Sequence, residues 1–146
     1  VPYCVYSQLA HVTGHGEQIE LLPDTPHYWV VIAKQQTSVS TPQILRQINY
    51  EKLEHLNNRK LLACLKAQDW QNAVKYMGNV LEPVTMQSHP EIRRLKDKMA
   101  SLGADVAQMS GTGPTVFAIC HTESRARRIQ NSIRGFCRDV HVVTLL

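Results

Sequence analysis

The sequence has no Cys-x-x-C pair: its four cysteines, Cys4, Cys64, Cys120 and Cys137, stand far apart. The spacing that a redox dithiol or a zinc pair needs is therefore missing. No apolar run approaches the roughly 18 residues of a membrane-spanning helix. The opening VPYCVYSQLA has neither a basic n-region nor a small-residue cleavage site, so it does not read as a signal peptide. Aromatic residues are scarce, at 6%, and the arginines Arg125, Arg127, Arg128 and Arg134 have only Phe117 and Phe136 near them, both on apolar faces. RNA recognition wants stacking aromatics beside its charge, so a nucleic-acid partner is not expected. His11 and His15 are four apart, but Gly14 and Gly16 interrupt the geometry and no third ligand is in view, so no metal site is expected. No Ser-His-Asp, Cys-His or paired-carboxylate set can be assembled. Asp24, Asp69, Asp97, Asp105 and Asp139 read as turn, cap or surface residues.

What is present describes one ordinary globular domain. The 146 residues are 43% apolar and 19% charged, enough to bury a core. The net charge of +4 suits phosphorylated ligands without requiring them. Cys4, Cys64 and Cys120 sit in apolar runs as small buried hydrophobes, and nothing suggests secretion, so a reducing cytoplasm is expected. There is no initiator Met, and Val1 opens directly into a β-prone run without a tail, which reads as a piece of a longer protein.

Residues 1–22 read as two strands, YCVYSQLAHV and EQIELL, around a turn at TGHG. The Pro-rich PDTP, 23–26, is the best internal boundary. HYWVVIAK, 27–34, suits a strand buried on both faces. A helix follows with Thr41 as N-cap and Pro42 as first helical residue. NRKLLACLKAQ and DWQNAVKYMGNVL predict two more helices, the second capped by Asp69 with a face of Trp70, Ala73, Val74, Met77 and Leu81. SHPEIRRLKDKMASLG has capping-box spacing from Ser88 to Glu91, buries Ile92, Leu95, Met99 and Leu102, and ends at Gly103. Strands ADVAQMS and PTVFAIC flank a glycine loop. Thr122 caps ESRARRIQNSIRGF, which buries Ala126, Ile129 and Ile133, and DVHVVTLL is a last strand. From residue 27 the order is β-α-α-α-α-β-β-α-β. It predicts an α+β fold of ferredoxin-like type, a four-stranded antiparallel sheet with helices on one face.

The loop Ser110-Gly111-Thr112-Gly113 is the one chemically suggestive stretch. Two readings stand. A tight hairpin needs glycines only for positive φ. A nest of backbone N–H groups without a Cβ in the way, flanked by the hydroxyls of Ser110 and Thr112, would bind an anion. A Walker-type loop is not expected, because no Lys-Ser/Thr ending follows and a strand does.

MSGTGPTVFA resembles the third motif of the GHMP kinases, which phosphorylate small-molecule hydroxyls with ATP. VPYCVY, TGHGEQIELLP, WVVIAK, VSTP, GNVLEP, HPEI and LGA follow the pattern of one branch of that family in order. The resemblance implies the C-terminal half of a kinase of the non-mevalonate isoprenoid pathway, whose partner is a small molecule, a cytidine diphosphate-linked alcohol phosphorylated on its 2-hydroxyl. Residues 1–24 would then be strands left over from the N-terminal ATP-binding domain and 25–146 the C-terminal domain. It also implies ATP and Mg2+ as cofactors of the full-length enzyme, with none expected on this piece. The family's P-x-x-x-G-L-x-S-S motif and its N-terminal lysine are not in this sequence, and its catalytic Asp would fall just before Val1-Pro2. The piece alone is thus expected to be inactive, with no catalytic residue of its own. Ser110, Gly111, Thr112 and Gly113 would meet phosphates, and Thr41 and Pro42 at a helix start would line the substrate side. A cut kinase would expose the face of its lost domain and self-associate. The rival readings are a homoserine- or mevalonate-type GHMP kinase and a non-catalytic ferredoxin-like ligand-sensing module.

Overall fold

The computed structural model describes residues 2–135 and 137–145; the expectations that touch Val1 and Phe136 lie outside the described residues. The chain forms two compact units. One takes the described residues up to His27 together with Asn57–Met77 and Leu145, and the other takes Tyr28–Leu56 and Gly78–Thr144.

The first unit begins with a short helix, α1 (Pro2–Tyr6), followed by a hairpin of β1 (Ala10–Thr13) and β2 (Gln18–Leu21). The hairpin was legible, and Gly14 (φ +68°) and Gly16 (φ +100°) turn it. The helix was not, because YCVY reads as strand. β-propensity measures fit to a half-buried pleated surface, and here Val5 and Tyr6 are exposed. The Ser7 hydroxyl donates to the Cys4 carbonyl, and Ser7 itself turns left-handed (φ 48°), which closes the helix. Across the hairpin His11 faces Glu20, which also pairs with Lys66. The same unit holds α3 (Asn58–Lys66) and α4 (Trp70–Tyr76), whose N-cap side chains Asn57 and Asp69 accept from the amides of Lys60 and Asn72.

The second unit is the sheet. β3 (Trp29–Lys34) and β5 (Thr115–Cys120) are central, with β4 (Val106–Met109) and β6 (Asp139–Thr144) at the edges, in the order β4-β5-β3-β6 and antiparallel throughout. That is the ferredoxin-like arrangement expected from the element order. Val31 and Ala33 of β3 alternate onto the same face as Val116 and Ala118 of β5, all four fully buried. Two helices cover this face, α6 (Pro90–Ser101) through Ile92, Leu95 and Met99, and α7 (Glu123–Ile133) through Ala126, Ile129 and Ile133. Leu102 is only partly buried beside them. Thr122 caps α7 as expected, accepting from the Arg125 amide. Two of the α7 arginines have ordinary surface partners, Arg125 near Asp105 and Arg127 near Glu123.

Three local expectations are corrected. The helix foreseen over 69–81 stops at Tyr76, and a separate helix, α5 (Glu82–Ser88), follows. Met77 is extended (ψ 140°), and the Asn79 side chain takes the Leu81 amide into a turn before Pro83 restarts the helix. The Ser88–Glu91 capping box does not form, since Ser88 closes α5 and His89 is the N-cap of α6. The glutamate instead accepts from the Thr37 hydroxyl at 2.8 Å. Lastly, Ser40 stands at the N-cap position of α2 (Thr41–Arg46), without a side-chain capping bond, so Thr41 is the first helical residue and its hydroxyl is free for another task.

Candidate phosphate-binding loop

The loop between β4 and β5 is a hairpin, and the geometry shows what the hairpin leaves over. Ser110 donates its amide to the Thr115 carbonyl at 2.8 Å, and Gly113 donates its own to the Ser110 carbonyl at 3.0 Å. Those two bonds close the turn. The amides of Gly111 and Thr112 make no hydrogen bond among the described residues. Gly111 (φ +57°) and Gly113 (φ +87°) both adopt the left-handed region that favours glycine. A Cβ at Gly111 would meet nothing within 4 Å, so this side of the loop is open.

The carbonyls from Met109 to Thr112, by contrast, are held. The Asn79 amide donates at 2.8 Å to both the Met109 and the Gly111 carbonyl. The Thr85 hydroxyl, on fully buried Thr85, donates to the Thr112 carbonyl at 3.1 Å. One residue before the loop, the Met109 amide donates to the buried Glu82 carboxylate at 2.6 Å, and Lys96 pairs with the other oxygen of Glu82 at 2.6 Å. Gln108 adds a bond to the Gly78 carbonyl. A single segment, 78–85, thus anchors the carbonyl side of the loop.

Of the residues singled out in the sequence, Ser110, Gly111, Thr112, Gly113 and Thr41 come together: the hydroxyls of Thr41 and Thr112 share a 2.8 Å hydrogen bond. Pro42 sits next along α2. Beside them, the connection from Lys34 to Val39 and Pro114 line an open cavity of about 360 Å3. Glu91, near this connection, is held below the usual carboxylate range by a hydrogen bond to its own backbone amide, and then by Thr37. Sequence reasoning missed Asn79, Glu82 and Thr85. The stretch GNVLEP carried a signal, a Gly-Asn turn before a helix-opening Pro, but no sign of which carbonyls Asn79 would reach.

A four-stranded antiparallel sheet with its glycine loop anchored on the connecting helices is the domain of a known kinase family. Residues 61–139 match the family described as GHMP kinases C terminal, and the chain belongs to that family. Among curated proteins, the 4-diphosphocytidyl-2-C-methyl-D-erythritol kinase of Limosilactobacillus reuteri (strain DSM 20016) is 82% identical over all of this chain and 52% of its own length. The protein of the same name from Limosilactobacillus fermentum is 66% identical over the same shares. The chain spans about half the length of these curated relatives. A crystal structure of 4-(cytidine 5'-diphospho)-2C-methyl-D-erythritol kinase superposes with a TM-score of 0.80 at 25% identity, over 99% of this chain and 52% of that one.

Proposed function

We propose that this chain is the C-terminal half of an ATP-dependent kinase that phosphorylates the 2-hydroxyl of 4-diphosphocytidyl-2-C-methyl-D-erythritol in the cytoplasm, and that its glycine loop receives phosphate. Residues 25–146 are read as the GHMP kinase C-terminal domain and 1–24 as strands belonging with the N-terminal ATP-binding domain. The observation that carries this reading is the pair of unengaged amides at Gly111 and Thr112 in an anchored loop, in a chain 82% identical to a kinase of that name. Two adjacent N–H groups without competing acceptors suit a phosphate oxygen, and such donors count most where charge grows in the transition state.

In the reaction the alcohol oxygen bonds to the γ-phosphorus of ATP, the bond to the bridging oxygen breaks, and ADP leaves. The alcohol proton passes to a carboxylate of the whole kinase. Mg2+, when bound, neutralises charge on the nucleotide. Among the described residues no cluster of three or more His, Cys, Asp or Glu could hold a metal ion. What this chain supplies is position: the Gly111 and Thr112 amides and the Ser110 hydroxyl toward phosphate, with the Thr41–Thr112 hydroxyl pair and Pro42 on the alcohol side. The partner is a small molecule; nucleic acid and membrane play no role in this reading, and no helix among the described residues is long and apolar enough to cross a membrane.

The test is an ADP-release assay on the whole gene product with ATP and each of three alcohols. Phosphorylation of the cytidine diphosphate alcohol, with homoserine and mevalonate left untouched, is expected. Preference for either of the other two contradicts the assignment.

A further inference from the structure

Peptide planarity links what Asn79 does to what the loop amides can do. In a trans peptide the C=O of one residue and the N–H of the next point in opposite directions. The Gly111 carbonyl and the Thr112 amide share such a plane. When Asn79 holds that carbonyl at 2.8 Å, the Thr112 N–H is turned to the opposite side. The neighbouring plane works likewise: the Ser110 carbonyl is held by the Gly113 amide, which fixes the direction of the Gly111 N–H. Thr85, by holding the Thr112 carbonyl, keeps Gly113 in place to do so.

A glycine-rich loop needs such restraint. Gly111 and Gly113 visit positive and negative φ about equally in a free chain, so the 111–112 peptide could turn over at little steric cost. Turned over, it would present a carbonyl oxygen where an N–H had been, and an anion would meet repulsion. Gly111 carries no side chain that could prevent this, and the Thr112 side chain reaches the Thr41 hydroxyl rather than the loop's own backbone. The restraint comes from 27 to 32 positions away in sequence.

We infer that Asn79 and Thr85 are positioning residues of the kinase: they touch neither substrate nor nucleotide, and they keep the Gly111 and Thr112 amides facing the phosphate by anchoring the carbonyls behind them. This rests on the reading of the loop as a phosphate site.

The experiment uses the whole kinase with Asn79→Asp, which keeps the side-chain shape and the acceptor for the Leu81 amide but removes both donors. A second pair guards against misfolding: Thr85→Val removes the hydroxyl at nearly constant shape, and Thr85→Ser keeps it. Two readouts are taken, steady-state kinetics and the 15N–1H resonance of Thr112 during titration with inorganic pyrophosphate. Asn79→Asp should lower kcat about ten- to a hundredfold, as loss of an oriented donor does, with KM for the alcohol within about threefold. Thr85→Val should follow in the same direction and Thr85→Ser return to within about twofold of the parent. The pyrophosphate-dependent shift of the Thr112 amide should be present in the parent and in Thr85→Ser, and weakened about tenfold or more in Asn79→Asp. Parental kcat together with a parental amide response in both Asn79→Asp and Thr85→Val would overturn the positioning role. If the parent transfers nothing to the cytidine diphosphate alcohol, the functional reading fails on its own, and the amide response alone decides the role of Asn79.

Discussion

The hydroxyls of Thr41 and Thr112 meet at 2.8 Å across 71 positions of sequence. One stands at the start of α2 and the other at the tip of the glycine loop, so a single hydrogen bond joins the two stretches that the sequence marks out separately. In the proposed kinase this bond sets where the Thr112 hydroxyl points. Thr112→Ala in the whole enzyme should lower kcat/KM about ten- to a thousandfold, and Thr112→Ser should restore most of it. Unchanged kinetics for the alanine variant would reduce the loop to a hairpin.

The two loop glycines should differ in what they tolerate. Gly113 has φ +87°, and a Cβ there would sit 3.0 Å from Met109 Sδ and 3.4 Å from Ile92 Cδ1, both in fully buried residues. Gly111 has φ +57° with open space around it. Gly113→Ala should therefore cost about 2–3 kcal/mol in unfolding free energy, from backbone strain plus crowding, and Gly111→Ala about 1 kcal/mol from strain alone. Denaturant titration of both variants measures the order, and a reversed order would contradict it.

How far the sequence could be read follows from where each signal lives. Thr122 and Asp69 were legible as caps because a cap is chemistry between residues three apart. The central strand was legible because HYWVVIAK is a nearly continuous β-branched and aromatic run, and both Val30 and Val31 are indeed buried. α1 was hidden, since whether YCVY becomes a strand depends on a neighbour to pair with, and local residues do not report one. The loop's anchors were hidden for a related reason. Asn79 and Thr85 act on backbone carbonyls, which every residue has, so no side-chain pattern reveals the partnership.

The pair beneath the loop gives a directional prediction. Glu82 is buried, whereas Lys96 keeps 30% of its side-chain exposure. Lys96→Met leaves a buried carboxylate uncompensated, and Glu82→Gln leaves an ammonium that can reach water while the amide oxygen still accepts from Met109. Lys96→Met should thus destabilise more, by about 2–3 kcal/mol against about 1 kcal/mol for Glu82→Gln. Urea unfolding of the two variants checks the sign, and a greater loss for Glu82→Gln would show that the pair does not work this way.

The thiols predict a pH dependence. Burial, helped by the charge of Asp105, pushes Cys120 up to about 11, and burial also raises Cys137. Between the ordinary thiol value near 9 and about 11, the folded protein holds a proton that the unfolded chain has lost, so the contribution of Cys120 to stability is constant below 9 and falls as pH rises through that window. At pH 8 a thiol reagent should label exposed Cys4 quickly and reach buried Cys120 and Cys137 only on unfolding. Rapid labelling of Cys120 in the native protein would contradict this burial.

The most direct test of the account is the crystal structure of the whole protein with a non-hydrolysable ATP analogue and the cytidine diphosphate alcohol bound. It should place a phosphate oxygen about 3 Å from the Thr112 amide, with Asn79 still holding the Gly111 carbonyl on the other side of that peptide. A structure in which the loop amides face open water, and no phosphate oxygen comes within hydrogen-bonding reach, would contradict it.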